Sequence, residues 1–276
     1  MTGPARPARP ARLLADDAVA VLAQASPLLA LFDIDGTLAP LAPRPELAVV
    51  PDATLRALGE LAALPGVRVG LVTGRAAHDG ARMVPVPGLW VVGNHGVETW
   101  DPDGTRHVDR HALDAEAALA RAARALAAPV AAVPGALLED KRWGLSVHTR
   151  LAEPAAVPAL EAHVRAVAER EGLLAVPGKK IVELRIPAEL DKGTAILALA
   201  ARLGVPAAGG AGAVLFAGDD RTDEDAFRRL RAAGVRAVTV RVGEPDAPTD
   251  ADWHVAAPAD IAALVQRLVA LRGGQP

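Results

Sequence analysis

Cysteine and tyrosine are absent from the 276 residues, phenylalanine and tryptophan are scarce, and no long uninterrupted apolar run is present. Without cysteine the chain has no disulfides, no thiolate nucleophile and no thiolate-ligated metal, a usage that fits a reducing compartment. Strong charge of either sign is also missing. Lys and Arg number 30 against 33 Asp and Glu, for a formal net charge of -3. A phosphate backbone or an anionic membrane is normally met by concentrated Lys and Arg, and no such stripe occurs, so neither a nucleic-acid nor a membrane partner is expected. The basic N-terminus MTGPARPARPARLL carries proline where a secretory signal needs its apolar segment. The run Leu28 to Phe32 is too short to cross a bilayer. A cytoplasmic protein is expected. The lack of tyrosine and the 25 Gly and 23 Pro carry no functional argument.

What is present is enough apolar material, 51% of residues, for a substantial core. Residues 1–25 read as a tail and a short helix near Asp16 to Ala23; in residues 1–12, repeated Ala-Arg-Pro steps remove backbone donors and disfavour a continuous helix. From 26 to 106 the pattern alternates. LLALF is a strand buried on both faces, a helix follows from Asp52 to Leu64, and VRVGLV is a second strand ending at Thr73-Gly74-Arg75. A further helix and the strand LWVVG come next, then a hairpin turned at DPDG. Between 107 and 187 the pattern changes to two helices with half-exposed strands, GLSVHTR and KKIVELRI, an α+β insert. From 188 to 276 the alternation resumes. The expected fold is therefore α/β, a doubly wound, mostly parallel sheet with an inserted α+β cap domain, and ligands gather beyond the carboxyl ends of such strands.

The first strand ends in DIDGT. Asp33 closes it, and the turn that Gly36 permits can bring Asp35 back to the same crevice. Asp33 could then attack phosphorus while Asp35 donates a proton to the leaving oxygen and later takes one from water. Such a pair carries too much negative charge to face a phosphate alone. A second acidic cluster, AGDDRTDEDAF, also ends an apolar strand. Asp219, with Asp33 and the backbone carbonyl of Asp35, makes a hard oxygen site suited to Mg²⁺. Asp223 could orient a water or the loop backbone. Thr73 offers a hydroxyl to a phosphoryl oxygen, helped by the N-terminus of the following helix. Lys192 in DKGT offers a compact cation.

Each fragment has a plainer reading. Paired acids at strand ends also cap helices and bind calcium, GDDRTD also reads as an N-cap, TGR as a turn and Lys192 as a solvated lysine. Their order, and their repeated placement after apolar strands, favours phosphoryl transfer.

With these residues in place the sequence resembles the haloacid-dehalogenase-like phosphohydrolases, in particular the trehalose-6-phosphate phosphatases. DIDGTLAP, TGR, DKG and GDDRTDEDAF are similar to that superfamily's four catalytic elements, in order. GNHG, LEDKRWGLSVHTR and GKKIVELRI resemble the core-loop and cap signatures of the trehalose branch. The resemblance implies Asp33 as nucleophile, Asp35 as acid/base, and Thr73 and Lys192 as phosphate-binding or charge-balancing residues. It implies a Mg²⁺ site at Asp219 with Asp33, Asp35, Asp220 and Asp223. It assigns sugar or phosphate recognition to Lys141, His148, Lys179, Glu183 and Arg185, with Gly74, Arg75, His95, Glu139 and Arg150 as further candidates.

Strand alternation puts Ser146, His148 and Arg150 on one face, and Glu183 and Arg185 on one face of the second strand. Without the resemblance, such faces are ordinary solvated surface. Ile34 stands where many relatives have an aromatic residue and Thr73 where many have serine, neither removing a catalytic group. The implied substrate is a small sugar phosphate, linked through its pathway to a trehalose-6-phosphate synthase, with nothing said about physical association. Another sugar phosphatase, for sucrose phosphate or a mannosyl phosphoglycerate, and a catalytically silent sugar-phosphate binder are the alternatives.

Overall fold

Leu28–Phe32 is the strand on which the sheet is organised, and its alternation explains why all five residues are buried. Leu28, Ala30 and Phe32 enter one core layer, while Leu29 and Leu31 enter another on the opposite face of the sheet. The computed structural model describes residues 12–13, 15–187, 190–205 and 210–274. They form two compact units, one of the residues up to Arg106 together with those from Leu190 onward, the other of the residues between, beginning at His107.

In chain order the first unit contains β1 (Arg12–Leu13), α1 (Asp16–Gln24), β2 (Leu28–Phe32), α2 (Asp52–Ala62), β3 (Val67–Val72), α3 (Ala77–Met83), β4 (Trp90–Gly93) and β5 (Glu98–Trp100). β6 (Arg106–Val108) runs across the boundary, and the second unit continues with α4 (Arg110–Ala131), β7 (Leu137–Asp140), β8 (Gly144–His148), α5 (Val157–Arg170), β9 (Leu174–Gly178) and β10 (Ile181–Arg185). The chain then returns to the first unit with α6 (Lys192–Arg202), β11 (Ala213–Gly218), α7 (Arg221–Ala232), β12 (Ala237–Val242), β13 (Trp253–Val255) and α8 (Pro258–Gly273).

The large sheet has the order β1-β13-β12-β11-β2-β3-β4-β5-β6. The named pairs from β1 to β4 are parallel, and β5 returns antiparallel to β4. The order runs outward from β2 to β3 and β4 on one side, and from β11 to β12 and β13 on the other. The switch point, where adjacent loops diverge and leave a crevice, therefore lies between β2 and β11. One face of the sheet is covered by apolar residues of α1, α2 and α8, including Leu22, Leu58, Leu61, Leu264 and Leu268. The other is covered by α6 and α7, through Ile196, Leu199, Phe227 and Leu230. The rings of Phe216 and Phe227 meet at 5.4 Å between centroids.

The second unit is a four-stranded antiparallel sheet, β7-β8-β10-β9, with α4 and α5 against one face. Leu138, Leu145, Val147, Val182 and Leu184 share that face by register. The insert is thus α+β as expected, with the outer strands β7 and β9 added to the two that alternation revealed. The proposed tail lies largely outside the described residues, but Arg12, counted with it, pairs in parallel with Trp253. No helix among the described residues is long and apolar enough to cross a membrane.

Candidate active site

Four loops at the carboxyl ends of β2, β3 and β11 and at the start of α6 build the site. Asp33 follows β2 directly, and its N–H still donates to the Ala217 carbonyl at 2.9 Å, so the β2–β11 ladder fixes its backbone. The chain then turns tightly. Leu38 and Ala39 N–H both donate to the Ile34 carbonyl, at 2.9 and 2.8 Å, and Gly36 takes φ 82°. Glycine is required there twice over. The left-handed backbone disfavours a side chain, and a Cβ at this position would lie 2.1 Å from Asp219 Oδ2. Closeness of the two acidic loops is therefore built into the turn.

Lys192 arrives from the other side. Asp191 caps α6 by accepting from Thr194 N at 2.7 Å, which places Lys192 at the first helical position. Gly193 lets α6 approach α7 closely, since a Cβ there would lie 3.0 Å from the Cα of Ala226. Lys192 Nζ consequently donates to Asp33 Oδ1 at 2.9 Å and to Asp223 Oδ1 at 2.8 Å, with all three side chains buried. Burial alone would depress the lysine, but the charges of Asp223 and Asp33 win and raise its pKa, so it is held as a cation. Asp223 holds the loop backbone. Its Oδ2 accepts from Asp219 N at 3.0 Å and Asp220 N at 3.1 Å.

Asp33, Asp219 and Asp223 each offer a carboxylate oxygen within 4.8 Å of the others. Burial first, and then neighbouring carboxylates, push both Asp33 and Asp219 up to about 7, with Lys192 opposing the rise. Burial likewise raises Asp223. Crowded hard-oxygen donors whose ionisation is this unfavourable fit a divalent metal ion, which would relieve their repulsion.

One expected ligand, Asp220, does not join this group, and Asp35, expected to offer its backbone carbonyl, has its carboxylate engaged elsewhere. Asp220 turns its carboxylate onto its own helix, accepting from Thr222 N at 2.7 Å and Asp223 N at 3.0 Å, so the N-cap reading describes its geometry. Burial opposes its ionisation, but Lys192 and these hydrogen bonds hold it well below the ordinary carboxylate range. The Asp35 carboxylate instead faces Arg75. Arg75 Nε donates to Asp35 Oδ2 and Nη2 to Oδ1, both at 2.6 Å, and Nη2 also reaches the Pro45 carbonyl at 2.8 Å. This two-pronged contact fixes the carboxylate in a plane. Arg75, expected at the substrate, is here a clamp on the proposed acid/base.

Thr73 lies buried just beyond β3, its N–H bonded to Val92 O at 2.9 Å. Its Oγ1 accepts from Arg75 N at 3.1 Å, so the hydroxyl's own hydrogen is directed elsewhere, as a donor to a phosphoryl oxygen requires. The first amide of the helix expected to assist it is already engaged. Ala77 N, the first amide of α3, donates to Glu98 Oε1 at 2.8 Å. Glu98 was not among the residues the sequence singled out, because a glutamate opening a three-residue strand carries no local signal. Gly74 packs under the His95 ring, 2.6 Å from where its Cβ would stand.

In the second unit, register places Glu139, Ser146, His148, Glu183 and Arg185 on the sheet face opposite the helices. Glu139 Oε2 lies 2.8 Å from His148 Nε2, and Lys141 Nζ is 3.4 Å from Glu183 Oε1. Arg185 Nε donates to Glu183 at 3.0 Å. Arg150 and Lys179 fall off this face. β8 ends at His148, putting exposed Arg150 in the following turn, and exposed Lys179 belongs to the turn joining β9 to β10. Alternation cannot be extended past the last ladder residue, which is why the sequence placed Arg150 with the strand.

Known proteins resemble this chain over most of its length. The family described as trehalose-phosphatase matches residues 31–259. A trehalose-phosphate phosphatase of Mycobacterium tuberculosis is 36% identical over 258 residues, covering 91% of this chain and 65% of the relative. The chain thus spans about two thirds of the length of the first curated relatives it matches. A solved trehalose-6-phosphate phosphatase related protein aligns with TM-score 0.76 and 26% identity over 88% of this chain and 97% of its own. Trehalose-6-phosphate phosphatase of Aspergillus fumigatus aligns with TM-score 0.66 and 28% identity, over 94% and 99%. With the family match running from the strand before Asp33 to the start of the last helix, the chain belongs to the trehalose-phosphatase family.

Proposed function

We propose that this chain hydrolyses trehalose 6-phosphate to trehalose and inorganic phosphate through an aspartyl-phosphate on Asp33. The observation that carries the reading is Lys192, buried between Asp33 and Asp223 beside Asp219 at the switch point of the sheet. Family membership and the names of the relatives support the sugar.

In the first half-reaction an Asp33 carboxylate oxygen bonds to phosphorus as the bond from phosphorus to the sugar oxygen breaks. Asp35 supplies the proton that the departing oxygen takes up. Thr73 donates to a phosphoryl oxygen, and Lys192 keeps the nucleophile oriented and balances its charge. In the second half-reaction Asp35 takes a proton from water, whose oxygen bonds to phosphorus while the bond from phosphorus to Asp33 breaks. Throughout, Arg75 holds Asp35 in register and must release one of its oxygens for each proton transfer. Asp33 and Asp219, with the Asp35 carbonyl, would hold Mg²⁺, which would neutralise the phosphoryl oxygens and the nucleophile together.

On this reading the residues between the two core segments form a cap, and Glu139, Lys141, His148, Glu183 and Arg185 recognise sugar hydroxyls and phosphate. The reaction would run in the cytosol on the product of a trehalose-6-phosphate synthase, a placement the cysteine-free sequence supports.

The test is phosphate release with Mg²⁺ across trehalose 6-phosphate, sucrose phosphate, a mannosyl phosphoglycerate and an aryl phosphate. Trehalose 6-phosphate should give the highest kcat/KM, and Asp33→Asn should abolish release with the fold intact. Preference for another sugar would replace the substrate, and equal turnover by the Asn variant would remove the mechanism.

A further inference from the structure

We propose that Glu98 is a positioning residue for the acid/base, acting through Asn94 on the Thr73–Arg75 loop; the inference rests on the phosphatase reading above. Glu98 is buried at the start of β5, opposite Gly93 in the antiparallel register with β4. It takes no part in the two half-reactions. A single oxygen, Oε1, accepts from Asn94 Nδ2 and from Ala77 N, both at 2.8 Å.

Those two donors lie on either side of the loop that matters. Ala77 opens the helix two residues after Arg75, and the turn at Asn94 is bonded to the loop itself. Asn94 N donates to the Arg75 carbonyl at 2.7 Å and His95 N to the Thr73 carbonyl at 3.0 Å. The turn has no slack. Asn94 and His95 have φ of 50° and 58°, left-handed values that are uncommon for residues with a side chain but that Asn and His adopt more readily than most. A Cβ on Gly93 would stand 2.4 Å from Ala77 N, so turn and helix backbone are already in contact. Any shift of Asn94 therefore passes to the Arg75 backbone and from its guanidinium to Asp35, on which both prongs close at 2.6 Å. Placement errors of this kind are expensive in rate, about 100-fold for about 1 Å.

Two variants separate geometry from charge. Glu98→Gln keeps an oxygen that can accept both hydrogen bonds and should retain kcat within about threefold. Glu98→Ala should lower kcat by about 100-fold with little change in KM. If the effect runs through Arg75, adding Glu98→Ala to an Arg75→Ala background should cost under about threefold, since the two changes break one chain of contacts.

A second measurement is independent of turnover. The Arg75 Nε–H, bonded to Asp35, should be protected from hydrogen exchange in the parent and Glu98→Gln and lose protection in Glu98→Ala. Should Glu98→Ala fail to fold, Asn94→Gly suits the left-handed backbone, keeps the N–H to Arg75 and removes the side-chain donor, and should show the same two losses. Unchanged kcat, effects of Glu98→Ala and Arg75→Ala that simply multiply, a Gln variant as impaired as the Ala variant, or retained Nε–H protection would each overturn the proposal. A parent inactive on trehalose 6-phosphate is a different failure. It removes the substrate reading, while the exchange measurement still decides the role of Glu98.

Discussion

Magnesium binding should depend steeply on pH, with a magnitude set by the two carboxyls that crowd the site. Asp33 and Asp219 are both held near 7 in place of their ordinary 3.8. At about pH 5.5 each keeps its proton, and an entering cation must displace both. Each pKa unit is worth about 1.4 kcal/mol, so two protons held about 1.5 units above the ambient pH cost about 4 kcal/mol, a factor of about 1,000 in affinity relative to about pH 8. The logarithm of the binding constant should rise with a slope near two below pH 7 and flatten above it.

The stability of the ion-free protein changes in the opposite sense. Both groups have folded pKa values above their unfolded ones, so their contribution is full below about pH 4. It is lost as pH rises toward about 7, where the fold must give up protons the unfolded chain has already released. Mg²⁺ should therefore raise Tm far more at pH 8 than at pH 5.5. Calorimetric titration of MgCl₂ across this range, with thermal melts at each pH, measures both effects. Asp219→Asn should reduce the slope from two to one. Affinity that is flat from pH 5.5 to 8, or a slope of two that survives in the variant, would refute the assignment of these carboxyls to the ion.

Lys192→Met removes the sole cation bonded to Asp33 and Asp223 among the described contacts of this buried pair. It should destabilise the fold by about 3–5 kcal/mol in denaturant titration and abolish turnover; a loss under about 1 kcal/mol would mean the pair tolerates isolation. Gly36→Ala forces a left-handed alanine and a Cβ 2.1 Å from Asp219. It should cost about 1–2 kcal/mol in stability from the backbone alone and weaken Mg²⁺ by more than about tenfold, and unchanged Mg²⁺ affinity would contradict the close approach. Glu183→Ala and Arg185→Ala should each lower kcat/KM for trehalose 6-phosphate by about tenfold or more while sparing a small aryl phosphate. Equal losses on both esters would move sugar recognition off this sheet face.

The candidate site residues were legible where a local rule covers them. An apolar five-residue run bounded by turn residues reads as a buried strand, and the polar residues directly after it must lie at the strand's carboxyl end, so Asp33, Thr73 and Asp219 could be located from their neighbours. The DKGT stretch similarly offers Lys192 as a candidate cation. Pairings across the chain were a different matter. Nothing near Arg75 says that its guanidinium closes on Asp35, 40 residues earlier. Asp220 could be read equally as a metal ligand or a cap, and only its hydrogen bonds to Thr222 and Asp223 distinguish the two. Arg150 was carried one step too far by alternation because the end of a ladder is set by partner strands.

By itself, then, the order of apolar strands and acidic turns determined the α/β architecture and the small set of groups able to handle a phosphoryl ester, since burial and periodicity act over a few residues. Tertiary structure decided which carboxylates share a site, which cations meet them and that one Glu98 oxygen accepts from both Asn94 and Ala77. Those outcomes depend on hydrogen bonds and desolvation between segments far apart in the chain, and such terms take a value only when folding brings the segments within a few ångströms.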